Sequence, residues 1–173
     1  MIGNSAGNMN RLNVSVLFIG LALAGTVAWW GFNSGSGVAV NSDVPVMPAR
    51  VDIVQGATLY ADNCAACHGV NLEGQSEWRS EGPDGTYPAP PHDETGHTWH
   101  HPDSMLFQYT KLGGQAVLDL QGVTFNSGMP AFEGSLTDQE IWNTLAYIQS
   151  TWPERARNAQ AERTATDLGT GEK

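Results

Sequence analysis

Both cysteines of this 173-residue chain fall in one pentapeptide, Cys64-Ala65-Ala66-Cys67-His68. Three chemistries compete for it. A redox dithiol would be expected after a strand in a βαβ setting, whereas residues 52–63 before it read as a helix. A zinc site would need further donors, and without a second Cys-x-x-Cys pair only His92, His97, His100 and His101 could supply them. Covalent haem attachment is the third reading, and C-x-x-C-H is its known signature. Two thiols add across the haem vinyl groups, and the next imidazole lies over the iron. That reading asks for a second axial ligand elsewhere in the chain.

Four methionines besides the initiator are available: Met9, Met47, Met105 and Met129. Met9 precedes a long apolar run, and Met47 lies in a Pro-punctuated segment. Met105 belongs to a helix-like stretch, 104–112, whose Met105, Leu106, Tyr109 and Leu112 recur at helical spacing, so it reads as packing. Met129 sits instead in a loop, Asn126-Ser127-Gly128-Met129-Pro130, where Pro130 fixes the adjacent backbone and Gly128 permits close approach to a flat ring. A thioether on a rigid loop suits a soft axial ligand to haem iron. Met129 is the expected partner of His68.

The elements that must position these groups are legible in part. Thr137-Asp138-Gln139-Glu140 has the pattern of a capping box, and Ile141, Leu145, Ile148 and Trp152 then form one apolar stripe. Pro153 should stop that helix or start another. Between them and the pentapeptide lies a long segment, 69–102, rich in Gly, Pro and charge, that holds His92, His97, His100 and His101. A second metal site, copper or zinc, would lack paired ligand signatures. The preferred reading is an exposed or haem-packing loop in which Trp99 packs and one histidine bonds a haem propionate.

These residues resemble the class I cytochrome c family over 51–152. Gly56 and Tyr60 in GATLYADNCAACHG match the family's first helix, Leu145-Ala146-Tyr147-Ile148 its last, and Met129-Pro130 its axial methionine. The resemblance implies an all-α fold, with crossed first and last helices and a middle helix around one covalent haem c. Gly56 would let the crossing helices approach, and Tyr147 would fill the space beside it. Cys64 and Cys67 would bind the cofactor, and His68 and Met129 would ligate the iron. The family's proline, whose carbonyl holds the haem histidine, has two candidates here, Pro90 and Pro91.

Upstream, residues 12–32 form twenty-one uncharged positions, a helix of roughly 30 Å, enough to span a bilayer core. Arg11 precedes the run and Trp29, Trp30 and Phe32 close it, which puts the amino terminus in the cytoplasm and the rest outside. A cleaved export signal is the competing reading, disfavoured by the length of the run and poor cleavage sites. The expected organisation is a cytoplasmic 1–11, a transmembrane anchor 12–32, a flexible tether 33–49, a haem domain 50–152 and a polar tail 153–173. Within that tail, a short surface helix to residue 163 is expected, with disorder after 164. The expected location is the bacterial cytoplasmic membrane, with the haem domain on the periplasmic side.

Charge narrows the partners. Residues 43–152 carry fourteen acidic against three basic side chains, which excludes nucleic acid because phosphate affinity rests on Lys and Arg. With both axial positions filled by His68 and Met129, no catalytic residue or small-molecule substrate is expected. The chain reads as a one-electron carrier between membrane redox complexes, a quinol-oxidising donor and a terminal oxidase or similar acceptor. Two alternatives stand beside it: a haem subunit fixed to a dehydrogenase or oxidase, and a ligand-binding or sensing haem protein.

Overall fold

A computed structural model of the protein describes residues 44–170. The expected cytoplasmic segment, the anchor 12–32 and most of the tether lie outside the described residues. Six α-helices follow in chain order: α1 (Ile53–Asn63), α2 (Ala65–His68), α3 (Asp103–Leu112), α4 (Gly114–Gln121), α5 (Asp138–Ser150) and α6 (Glu154–Thr170), with a 3-10 turn at Thr98–His100 before α3. Among the described residues there is no strand, only an isolated bridge between Tyr87 and Ser127. No described helix is long and apolar enough to cross a membrane.

α1 starts at Asp52, whose carboxylate accepts the backbone N–H of Gln55, and it packs on α5 more extensively than any other helix pair. The expected capping box is present: Thr137 accepts from the Glu140 backbone while the Glu140 carboxylate accepts from the Thr137 N–H at 2.8 Å. Below it the stripe Ile141, Leu145, Ile148 and Trp152 is buried throughout, at 0–5 % exposure.

The α1–α5 crossing turns on Gly56. A Cβ there would sit 1.9 Å from the Asn143 carbonyl oxygen and 3.1 Å from Tyr147 Cβ. Only a residue without a side chain lets the two backbones meet. The Tyr147 ring then fills the flank, 5.5 Å from the ring of Tyr60.

Three expectations need correction. The buried face of α3 is Asp103, Leu106, Phe107 and Thr110 rather than the expected stripe, and Met105 is only half-buried beside it. Phe107 is the residue that the period missed; it stacks on Trp142 of α5 at 4.5 Å. Secondly, the chain after residue 164 is helical. α6 runs to Thr170, with Ala156 and Gln160 buried against α3 and the 3-10 turn. Thirdly, the end of the expected flexible tether is pinned: Met47 packs on the core, and its N–H donates to Asp103 Oδ2 at 2.9 Å.

Asp103 gathers these additions. Its carboxylate also accepts from Gln149 of α5 at 3.2 Å and Gln160 of α6 at 2.7 Å, while its own N–H donates to Thr164 Oγ1 at 3.0 Å. A buried carboxylate is tolerable because each of these donors compensates lost hydration.

Candidate haem-binding site

Cys64 caps α1 and opens α2, so the pentapeptide forms a helical turn in which His68 N–H donates to the Cys64 carbonyl at 2.9 Å. Positions 64, 67 and 68 are spaced i, i+3 and i+4, which sets the two thiols and the imidazole on one face. Both cysteines are free, Cys64 half-buried and Cys67 exposed. Burial, reinforced by neighbouring Cys67, pushes the Cys64 thiol up to about 11. A low-pKa nucleophilic thiol is the mark of a redox dithiol, and the Cys64 environment does not supply one.

His68 is buried, and its Nδ1 lies 2.8 Å from the carbonyl oxygen of Pro90. This resolves the choice between Pro90 and Pro91. A carbonyl can only accept, so the proton sits on Nδ1 and Nε2 keeps its lone pair. Burial lowers the tendency of His68 to protonate, with the Pro90 bond opposing it in part. No hydrogen bond among the described residues engages Nε2. The result is a neutral imidazole whose free nitrogen is available to a metal.

Pro90 is held by backbone packing. Gly74 adopts φ +69°, and a Cβ there would lie 2.4 Å from Pro91 N and 2.7 Å from the Pro90 carbonyl carbon. Its N–H donates to the His68 carbonyl at 2.8 Å, and the next N–H, of Gln75, donates to Ala89 O. The loop after the pentapeptide thus folds back to deliver one carbonyl to one imidazole.

Met129 is half-buried in the expected loop. Its N–H donates to Ser127 Oγ at 3.3 Å, and its carbonyl accepts the Gly114 N–H at 3.1 Å. Just beyond it, Phe132 and Glu133 donate backbone N–H groups to the Thr110 and Lys111 carbonyls, so the loop lies along the α3–α4 junction.

The four loop histidines make different ring contacts. His92 stacks on His68, ring centroids 4.0 Å apart and planes 20° from parallel. The two rings meet by their faces, and the Nδ1 of His92 is 2.8 Å from Oγ1 of Thr98. His97 stacks on Trp78, His101 meets His97 edge-on, and His100 stacks on half-buried Trp99. No group of three or more potential metal ligands occurs among the described residues. Neither the contact of His92 nor the polar role of Asp103 was marked by any period or motif in the sequence.

The donor set suits a covalently attached haem: two unpaired thiols and an imidazole with a free Nε2 on one turn of helix. The fold and this site define an all-α haem-binding protein of the electron-transfer type. The cytochrome c family model matches residues 53–152, and the chain belongs to that family, in its class I branch. Covalent haem c is the family's cofactor, and haem-based electron transfer its chemistry.

Two curated relatives agree. The chain is 28 % identical over 120 residues to the gluconate 2-dehydrogenase cytochrome c subunit of Pantoea cypripedii, a match that covers 68 % of this chain and only 24 % of that subunit. It is 29 % identical over 103 residues to cytochrome c6 of Diacronema lutheri, covering 57 % of this chain and 95 % of the relative. No solved structure gives a significant match.

Proposed function

We propose that the protein is a one-electron carrier. It holds a single haem c through Cys64 and Cys67, with His68 and Met129 as axial ligands. The observation that carries this reading is the imidazole of His68, fixed by Pro90 at Nδ1 and left open at Nε2, one residue from a free thiol. Haem c, when bound, supplies the Fe(III)/Fe(II) couple that takes up and releases one electron. Every other task falls to the chain. Cys64 and Cys67 fix the ring edge, Pro90 and the packed 74–75 backbone fix the imidazole, and Pro130 stiffens the loop that presents the Met129 thioether. The buried α1–α5 core backs the site through Tyr60, 2 % exposed, whose ring lies 6.3 Å from that of His92. Histidine–methionine ligation raises the reduction potential relative to two histidines.

In this reading the run 12–32 anchors the chain in the bacterial cytoplasmic membrane, with the haem domain on the periplasmic side. There it passes electrons from a quinol-oxidising complex to a terminal oxidase or similar acceptor. The acidic surface favours partners with a basic docking face, through encounters that weaken with salt. The similarity to a dehydrogenase cytochrome subunit favours a second reading, in which the chain is the haem subunit of a larger dehydrogenase or oxidase.

Two measurements test the proposal. Carbon monoxide added to the reduced full chain is expected to leave its spectrum unchanged, whereas the Met129→Ala chain binds it. Binding by the unsubstituted chain overturns the closed six-coordinate site and supports a ligand-sensing role. Purification from membranes in mild detergent is expected to yield the chain alone. A fixed stoichiometry with a dehydrogenase or oxidase supports the subunit reading instead.

A further inference from the structure

The Pro90 hydrogen bond leaves one degree of freedom of His68 unset. A metal bond at Nε2 and a hydrogen bond at Nδ1 would both lie in the imidazole plane, at two different corners of the ring. A small tilt about the line joining those nitrogens leaves both distances nearly unchanged. The Cβ–Cγ bond to α2 limits that tilt at one edge, and a surface against the flat face limits it further; here the surface is His92, 4.0 Å away and within 20° of parallel.

His92 is itself held at several points. Its N–H donates to the Leu72 carbonyl at 2.8 Å, and its carbonyl accepts the Trp152 indole N–H at 2.7 Å. Its Nδ1 lies 2.8 Å from Oγ1 of buried Thr98, whose hydroxyl reaches the Pro91 carbonyl at 3.4 Å. With the hydroxyl proton so directed, the oxygen accepts from Nδ1–H. The Tyr60 ring meets His92 edge-on at 6.3 Å. A ring tied to α1, to the 3-10 turn and to the end of α5 makes a rigid plate.

We infer that His92 is a positioning residue that fixes the azimuth of the His68 imidazole through face-to-face stacking. The inference rests on the proposed ligation of haem iron by His68. With haem bound, the orientation of that imidazole, together with that of the Met129 thioether, would govern how unpaired spin is distributed over the oxidised ring, so the paramagnetically shifted haem-methyl proton resonances respond to a change in it.

The test compares the haem-loaded full chain with its His92→Phe, His92→Gln and His92→Ala forms. His92→Phe keeps a flat face and loses the Thr98 bond; His92→Gln keeps a polar reach toward Thr98 and loses the ring. The expected result is a changed order and spacing of the methyl resonances in His92→Gln and His92→Ala, with the original pattern retained in His92→Phe. Should His92→Ala fail to fold, the Gln and Phe forms still decide. An unchanged pattern in a folded His92→Gln chain overturns the inference, as does a His92→Phe pattern that follows His92→Gln. A wild-type chain without low-spin covalent haem overturns the ligation reading and this inference with it. A normal low-spin wild type with an insensitive His92→Gln form overturns the inference alone.

Discussion

Two junctions hold this domain together, and they are built on opposite terms. The α1–α5 crossing is steric and apolar: a missing side chain at Gly56, a ring at Tyr147, and the stripe Ile141, Leu145, Ile148 and Trp152 beneath. The junction at Asp103 is polar, a buried carboxylate that receives donors from Met47, Gln149 and Gln160 and so ties the entering chain, α5 and α6 to the start of α3. Hydrophobic burial is non-directional and scales with area, so the crossing should fail through volume. Hydrogen bonds matter chiefly when one partner is left unmet, so the Asp103 junction should fail through unsatisfied donors.

The largest expected effect is at Trp152, 1 % exposed and bonded to the His92 carbonyl. Trp152→Ala should cost about 3–5 kcal/mol, the range for deleting a large buried aromatic. Denaturant unfolding of the haem-loaded chain measures it, and a cost of under about 1 kcal/mol would deny that the stripe is the core. Next is Gly56→Ala. One added carbon meets backbone rather than a movable side chain, and the expected cost is about 3 kcal/mol; a neutral result would show that the helices can part freely.

Asp103→Ala should cost about 2 kcal/mol, mostly for donors left buried without an acceptor. Its signature differs from that of the crossing. In a double-mutant cycle, Asp103→Ala and Gln160→Ala should couple, whereas Asp103→Ala and Gly56→Ala should add. Additivity of the first pair would break the account of Asp103 as a shared hub.

At neutral pH the smallest effect is that of His101, which emerges only on acidification. Burial, with His97, His100 and Arg163 nearby, depresses His101 from an ordinary 6.5 to about 4. Between those values the unfolded chain takes up a proton that the folded chain refuses. Stability fully present above pH 6.5 is therefore lost as pH falls toward 4. The His101→Gln chain should show a flatter decline over that window in unfolding midpoints; a slope equal to that of the unsubstituted chain would remove His101 from the cause.

The contrast between the junctions also explains what could be read in advance. α1, the capping box of α5 and the buried stripe follow from local patterning, the Gly56–Tyr147 contact follows from the family resemblance, and all are present. Pro90 and Pro91 could not be separated, because adjacent carbonyls point differently and only the fold-back at Gly74 decides which reaches His68. α6 read as a polar tail because its anchoring to the body of the domain rests on Ala156, Gln160 and Thr164, two of them polar. His92 lay among three other histidines in one loop, and nothing in their spacing separates the ring on His68 from those on Trp78 and Trp99. Long-range polar and ring contacts leave no period.

The central claim is covalent haem at Cys64 and Cys67 with His68 and Met129 on the iron. Its most direct measurement is the absorption spectrum of the purified full chain, oxidised and reduced, after haem staining on a denaturing gel. The account predicts stain that persists through denaturation, a low-spin reduced spectrum, and a far-red methionine–iron band in the oxidised form that vanishes in Met129→Ala. A chain without covalent haem, or a far-red band unmoved by Met129→Ala, would contradict it.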